Sequence, residues 1–240
     1  MGAFDCDVTV QPIEQAWRLL RQHGVVLLRR VFPATDIQRL AETADRAYAW
    51  AGTGGFDALS EFDRAQLNAH AMIIDHLSVA DVPARRWLAE PVRDLAAMAL
   101  GAPVTVAHWS FWRRVEPDDV EEGTAYKLPF HQDQRILGKP LINVWIPLVD
   151  AGDDAPGLEV VAQRLPGLEP TIAADTNIYG KSGVQIATEH VTTAYASALV
   201  RPVLAPGDAL MFYGTTIHRT HIAEGMTKRR DSIDLRFVMA

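Results

Sequence analysis

Two residues of one short segment have side chains that could bind a metal ion. The segment Pro129-Phe130-His131-Gln132-Asp133 places a histidine and an aspartate two positions apart. On a β-strand such residues point to the same side, because side chains alternate between the two faces. An imidazole and a carboxylate are both common metal ligands, so the spacing predicts two ligands of one site. We expect the third ligand from a distant strand.

A later segment that ends at His218 supplies the candidate third ligand. The turn Pro206-Gly207-Asp208 precedes an apolar strand, and His218 follows on a second strand. His221 is the alternative, but three residues along a regular strand it would face away from His218. We favour His218. Together with His131 and Asp133 it would form the 2-His-1-carboxylate set that holds non-haem iron(II).

The last predicted strand begins with residues suited to binding a carboxylate. Arg230 and Ser232 are two positions apart and therefore share a face. A guanidinium fork beside a hydroxyl is what the carboxylate end of a small molecule needs. Arg229 is the alternative of opposite parity, and Arg236 shares the face of Arg230 further along the strand.

Helical periodicity dominates the first part of the chain. Apolar residues recur at helical spacing from Pro12 to His23, and Gly24 is a natural end for that helix. The run Val25-Val26-Leu27-Leu28 predicts a buried strand, and Pro33 opens a second helix. Further helical pieces are predicted between residues 57 and 101.

The second part of the chain predicts a jelly roll. Short runs of β-branched and aromatic residues alternate there with Gly, Pro and Asp turns, as in β-sandwiches and barrels. We expect one α+β, mainly β domain over residues 1–240. Its mainly helical part, residues 1–102, would pack outside a cupin-like core formed by residues 103–240. The predicted strands are residues 104–112, 141–149, 158–161, 209–213 and 232–238.

Composition narrows the class of protein. The 240 residues carry a formal net charge of −7, which disfavours nucleic acid as a partner. A single cysteine excludes an intrachain disulfide and a Cys-rich zinc module. The sequence has no apolar run long enough to cross a bilayer and no signal-peptide pattern. We therefore expect a cytoplasmic protein with no membrane partner; the sequence gives no indication of oligomeric state.

The sequence resembles the phytanoyl-CoA dioxygenase family of iron(II)- and 2-oxoglutarate-dependent oxygenases. The resemblance covers nearly the whole chain, and its motifs include those already described. The residues that carry it are Gly24-Val25-Val26-Leu27, Phe32-Pro33, His131-Gln132-Asp133, Trp145-Ile146-Pro147-Leu148, Pro156-Gly157-Leu158, Gly207-Asp208, His218 and Arg230.

The resemblance implies a double-stranded β-helix and an oxidative activity. Iron(II) would be ligated by His131, Asp133 and His218. The cosubstrates would be 2-oxoglutarate and dioxygen, with succinate and CO2 released as a small-molecule substrate is hydroxylated or otherwise oxidised. Related halogenases have a small residue at the position of Asp133, so this carboxylate favours hydroxylation. The resemblance implies that Arg230, with Ser232, holds the distal carboxylate of 2-oxoglutarate, and Trp145 matches a family tryptophan that lines the cosubstrate pocket.

The substrate is the least specified part of the prediction. Two changes from the family pattern, at residues 161–167 and 219–221, affect no proposed ligand but put any transfer of substrate preference in doubt. Aromatic residues near the motif suggest an apolar pocket wall, and we expect a natural product or related metabolite. Two alternatives are a cupin-like metalloenzyme that does not use 2-oxoglutarate and a non-catalytic jelly-roll binding protein. The candidate pocket residues are Trp112, Phe130 and His108.

Overall fold

A computed structural model describes residues 2–53, 71–73, 84–118, 127–173 and 182–240. The helical pieces predicted in residues 57–70 and 74–83 lie outside these ranges and stay predictions. The described strands are β1 Asp5–Asp7, β2 Val25–Arg29, β3 Ala71–Ile73, β4 Val104–Val106, β5 Phe111–Val115, β6 Leu141–Pro147, β7 Gly157–Val161, β8 Leu199–Val200, β9 Ala209–Tyr213, β10 His218–His221 and β11 Arg230–Met239.

The strands form two sheets that face each other. The major sheet has the order β1-β2-β9-β6-β11-β5-β3, and β4 also pairs with β11. The minor sheet has the order β10-β7-β8. Apart from the parallel pair β1 and β2, the neighbouring strands are antiparallel. One apolar cluster joins the facing surfaces of the two sheets. It includes Trp145 and Phe212 from the major sheet and Leu158 and Val160 from the minor sheet.

Helices cover the other face of the major sheet. Leu20 of the first helix, Ile37 and Leu40 of the second, and Ile233 and Leu235 of β11 belong to one buried core. Among the described residues, no helix is both long enough and apolar enough to cross a bilayer. The described α-helices are α1 Ile13–His23, α2 Ala34–Gly52, α3 Ala84–Ala89, α4 Arg93–Leu100, α5 Asp133–Leu137 and α6 Thr188–Ala194; two 3₁₀ turns are Glu90–Val92 and Ala196–Ala198.

The junction of α1 and β2 shows how the sequence builds this packing. Gly24 has a φ of 74°, and its N–H donates to the carbonyl of Leu20, which ends the helix. A β-carbon at Gly24 would lie 2.8 Å from the carbonyl oxygen of Gln163. The position therefore needs glycine both for its left-handed backbone and for the close approach of a neighbouring segment.

Two details of the predicted strands are wrong. The run 104–112 is not one strand, because residues 107–110 interrupt it and divide it into β4 and β5. His131 and Asp133 do not alternate along a strand either. His131 forms an isolated antiparallel bridge with His218, and Asp133 is the first residue of α5. The two side chains meet because the chain turns into a helix after Gln132, not because strand side chains alternate.

Candidate metal and carboxylate site

A cavity lies between the two sheets and contains the predicted ligand residues. His131, Asp133 and His218 line it, and all three are buried. Their candidate ligand atoms lie within 4.8 Å of one another. The backbones of His131 and His218 are joined by two hydrogen bonds of 3.0 and 3.1 Å, which hold the two rings side by side. The ring centroids are 4.2 Å apart.

Hydrogen bonds to backbone carbonyls determine which ring nitrogen of each histidine carries the proton and which keeps a lone pair. Nδ1 of His131 lies 2.7 Å from the carbonyl oxygen of Pro129, and Nδ1 of His218 lies 3.1 Å from that of Thr216. A carbonyl oxygen only accepts, so each Nδ1 must carry the proton. Each Nε2 then keeps a lone pair, as a metal-ligating histidine requires.

Asp133 presents one oxygen to the histidines and the other to an arginine. Its Oδ2 accepts from Nε of Arg236 at 3.0 Å and lies 2.9 Å from Nη2 of the same residue. Its Oδ1 lies 3.3 Å from Nε2 of His131 but has no hydrogen-bond partner among the described residues. Two acceptors that face each other without a proton between them are repulsive, and a cation between them removes the repulsion.

The protonation states of these groups also suit a cation. Burial, and then the neighbouring His131, lower the pKa of His218 to about 4, so its imidazole is neutral at neutral pH. Burial alone would raise the pKa of Asp133. The charge of Arg236 and the nearby histidines outweigh that and hold it well below its usual range. A carboxylate, the neutral imidazole of His218 and the imidazole of His131 thus meet at one buried point.

The alternative ligand, His221, lies on the other face of β10. His218 and Thr220 of that strand are buried, whereas Arg219 and His221 are partly exposed. Thr220 lines the cavity with His218, and Arg219 points to the opposite side, where its Nε donates to Glu159 at 2.6 Å. The structure therefore brings His218 to the cavity and leaves His221 outside it.

Arg230 is a buried guanidinium without a counterion among the described residues. It is 1% exposed and lines the cavity, and its Nη1 donates to the carbonyl of Gly157 at 3.2 Å. Its Nε has no hydrogen-bond partner in the described part of the chain. Burial lowers the pKa of Arg230 to about 10, opposed by the charge of Asp234. A buried guanidinium without an ion pair is suited to binding an anion.

Other polar groups near Arg230 are also buried without partners. Among the described residues, this holds for Nε1 of Trp145, Nδ2 of Asn143 and Oγ of Ser232. Trp145 and Asn143 line the cavity, and the guanidinium carbon of Arg230 lies 5.6 Å from the centre of the Trp145 ring. Ser232 lies on the same face of β11 as Arg230 but is not among the described residues that line the cavity. Unpaired donors of this kind favour a polar ligand.

Arg229 faces the helices instead of the cavity. Its Nε donates to Asp231 at 3.1 Å, and its Nη2 donates to Asp45 of α2 at 2.7 Å. Arg114 of β5 binds the same two carboxylates. The side chain of Arg229 thus belongs to a network of ion pairs on the helix side of the major sheet.

The three predicted pocket residues do not line this cavity in the described structure. Trp112 is 1% exposed and packs in the core on the helix side of the major sheet. It pairs with Ile233, which lies on the face of β11 that points to the helices. Phe130 is fully buried in a separate apolar cluster, with Arg219 stacked 4.2 Å from its ring centre. His108 is exposed between β4 and β5. Their proximity in sequence to the metal motif does not bring them to the cavity.

Three charged lining residues were assigned no role in binding iron or 2-oxoglutarate from the sequence: Arg113, Asp234 and Arg236. Arg113 donates through Nε to Asp234, and Nη2 of Arg236 lies 3.8 Å from the same carboxylate. The alternation of side chains along β11 could have identified two of them. Asp234 and Arg236 alternate with apolar residues and therefore lie on the same face as Arg230.

Comparisons with known proteins identify the family and the fold. A model of the phytanoyl-CoA dioxygenase (PhyH) family matches residues 20–230. No curated protein matches the chain at significant sequence similarity. EctD from S. alaskensis with bound Fe is 15% identical with a TM-score of 0.66, covering 96% of this chain and 77% of EctD.

Two further solved structures have the same fold. The epimerase SnoN, in complex with Fe3+, alpha-ketoglutarate and nogalamycin RO, is 17% identical with a TM-score of 0.64, covering 95% of this chain and 84% of SnoN. EvdO2 from Micromonospora carbonacea var. aurantiaca, complexed with 2-oxoglutarate, is 17% identical with a TM-score of 0.63, covering 93% and 89%. At these identities the similarity establishes the fold, and it confirms the mainly β, cupin-like prediction. The family match spans most of the sequence: the chain belongs to the phytanoyl-CoA dioxygenase family of iron(II)- and 2-oxoglutarate-dependent oxygenases.

Proposed function

We propose that the chain oxidises a small-molecule substrate with iron(II) held by His131, Asp133 and His218. The observation that carries this assignment is the convergence of three lone pairs on one buried point. Nε2 of both histidines and Oδ1 of Asp133 face that point, and the proton on each Nδ1 is already committed to a carbonyl. Two imidazoles and one carboxylate, with the remaining positions open, are the donor set of non-haem iron(II) oxygenases.

We propose further that Arg230 binds the distal carboxylate of 2-oxoglutarate, with Ser232 and Trp145 beside it. Among the described residues, Nε of Arg230 has no hydrogen-bond partner and its guanidinium forms no ion pair, which fits a carboxylate better than a neutral group. Trp145 contributes a ring close to the guanidinium and an indole N–H that has no partner in the described part of the chain. Iron(II) and 2-oxoglutarate, once bound, supply the activation of dioxygen; the protein residues bind, orient and exclude water from the reacting groups.

The type of reaction is proposed from the third ligand. Asp133 presents a carboxylate where a halogenating enzyme would need room for a halide, which favours hydroxylation or a related oxidation. The relatives SnoN and EctD have been crystallised with small molecules, nogalamycin RO and 5-hydroxyectoine respectively. We propose a natural product or related metabolite as the substrate of this chain. Trp112, Phe130 and His108 lie outside the described cavity. They would contribute to substrate binding only if the substrate also contacts residues outside that cavity.

An anaerobic titration tests the two binding assignments. Apoprotein receives iron(II) and then 2-oxoglutarate while the visible absorption spectrum is recorded. We expect a weak charge-transfer band that needs both additions and is absent in His131→Ala. The matched control is His190→Ala, which removes an imidazole that pairs with Glu169 on the surface at 3.0 Å. It should keep the band.

The other outcomes of the titration separate the alternatives. Iron binding without a band would remove 2-oxoglutarate from the mechanism and favour a cupin-like metalloenzyme. A protein that binds no iron would support a non-catalytic jelly-roll binding protein. Release of succinate on admission of dioxygen then measures turnover before the substrate is known.

A further inference from the structure

Arg236 is the cavity residue most closely connected to a proposed iron ligand. It is 4% exposed, on the cavity side of β11. Both Nε and Nη2 approach the same atom, Oδ2 of Asp133, at 3.0 and 2.9 Å. No other described side chain forms an ion pair with Asp133 apart from the contact with His131. One guanidinium thus holds one carboxylate oxygen through a hydrogen bond from Nε and an ion-pair contact from Nη2.

The guanidinium of Arg236 is itself held in place from behind. Its Nη1 donates to the carbonyl of Trp109 at 2.8 Å. Its backbone N–H donates to Oγ of Ser110 at 3.1 Å, and its backbone carbonyl accepts from the N–H of Ala107 at 2.7 Å. The segment between β4 and β5 therefore holds the arginine in place. Because the guanidinium is planar, the directions of its N–H groups are then fixed as well.

We propose that Arg236 is a positioning residue that reserves Oδ2 of Asp133, so that the carboxylate binds iron through Oδ1 alone. The inference rests on the proposed function of the site. A carboxylate can bind a cation through one or both oxygens. If Asp133 used both, it would occupy a further position on the ion and compete with the two chelating groups of 2-oxoglutarate. Arg236 opposes this because Oδ2 already accepts a hydrogen bond from Nε and lies 2.9 Å from the charged Nη2 of the same guanidinium.

A purely structural ion pair would give a different pattern of effects. Loss of a structural pair leaves a buried carboxylate alone and weakens the whole site, so the affinities for iron and for 2-oxoglutarate would fall together. A reserving role predicts that they separate. Removal of the arginine also removes a positive charge beside the cation, which offsets the loss of orientation in iron binding. The chelation of 2-oxoglutarate has no such compensation.

The test compares Arg236→Met with Arg236→Lys in folded protein under anaerobic conditions. Calorimetry gives the dissociation constant of iron(II), and the charge-transfer band gives that of 2-oxoglutarate on the iron-loaded protein. For Arg236→Met we expect the 2-oxoglutarate dissociation constant to rise about tenfold or more, because Oδ2 is then free to take a position on the ion that 2-oxoglutarate needs. The iron dissociation constant should change much less. Arg236→Lys keeps a cation on Oδ2 and should restore most of the 2-oxoglutarate affinity.

A matched control is Arg219→Met, which removes a guanidinium from the buried carboxylate of Glu159 on the outer face of β10. It should leave both constants near those of the wild type. If Arg236→Met does not fold, Arg236→Gln replaces it with the same expectations. The proposal is overturned if iron binding is lost with 2-oxoglutarate binding, or if 2-oxoglutarate binds as in the wild type. Absence of binding by the wild type would instead overturn the proposed function.

Discussion

The two faces of β11 differ in what they contribute to the protein. Ile233, Leu235 and Phe237 point to the helices and are fully buried in the main apolar core. Ser232 and Arg236 alternate with them on the cavity side and are just as inaccessible, although they are polar or charged. One strand thus carries two buried surfaces of opposite chemistry.

The difference shows how the site is maintained without its ligands. Each fully buried aliphatic or aromatic side chain on the helix face stabilises the fold by about 1.5–3 kcal/mol. On the cavity face, Nε of Arg230 and Oγ of Ser232 are buried without a hydrogen-bond partner among the described residues. Each unsatisfied buried group costs about 1–3 kcal/mol, more when charged. The helix face therefore offsets the cost of the cavity face, whose polar groups the proposed ligands would satisfy.

The largest effect is expected where the two faces of β10 are compared. His218→Ala removes a proposed iron ligand, and its loss of iron affinity should exceed the roughly 10–100-fold cost of losing an outer partner. His221→Ala, on the other face of the same strand, should bind iron nearly as the wild type does. Calorimetry under anaerobic conditions measures both. Equal losses in the two variants would overturn the assignment of His218 and the contrast between the faces.

The second effect is on stability alone. Ile233→Ala leaves a cavity in the helix-side core and should lower the free energy of unfolding by about 2–5 kcal/mol. Urea denaturation of the apoprotein measures the loss. Among molecules that remain folded, the dissociation constant of 2-oxoglutarate should not change, because Ile233 does not face the cavity. A large change in that constant would show that the two faces are coupled.

Side-chain parity is the part of this arrangement that the sequence could predict. His218 and His221 are expected on opposite faces of their strand, and so are Arg229 and Arg230. This expectation depends only on the alternation of side chains along a regular strand. The structure places His221 and Arg229 outside the cavity, as that alternation requires. The fold could also be predicted, because turn residues separate the strands so clearly. The roles of the residues inside the cavity remain proposals.

Irregular backbone is the part that the sequence could not predict. Trp112 was expected in the pocket because it is one of the aromatic residues near the metal motif, at the end of the apparently continuous strand 104–112. The break at residues 107–110 removes that continuity, and pairing with Ile233 then determines its face. Asp133 reaches the site from the start of a helix, so its strand-based placement beside His131 was correct in outcome for a wrong reason. The contact between Arg236 and Asp133 depends on tertiary structure that no local pattern encodes.

The third effect compares adjacent arginines. Arg230→Met removes the unpaired guanidinium from the cavity and should weaken 2-oxoglutarate binding by about 1.5–3 kcal/mol, the usual range for a hydrogen bond to a charged group. Arg229→Met removes ion pairs with Asp231 and Asp45 on the helix side and should leave that binding unchanged. The charge-transfer band titrated with 2-oxoglutarate gives both constants. If Arg229→Met is the damaging change, the cavity face of β11 begins one residue earlier than proposed.

The smallest effect is expected at Ser232, where stability and binding should move in opposite directions. Ser232→Ala removes a fully buried hydroxyl that has no partner among the described residues, so the apoprotein should be as stable as the wild type or slightly more stable. If the hydroxyl assists Arg230, 2-oxoglutarate binding should weaken by about 1 kcal/mol, which is roughly fivefold. Thermal unfolding of the apoprotein and titration of the iron-loaded protein measure the two quantities. A stable variant with unchanged 2-oxoglutarate affinity would remove Ser232 from the site and leave Arg230 to bind the carboxylate. A less stable variant would mean that the hydroxyl has a partner in the apoprotein, and the cavity face would then cost less than proposed.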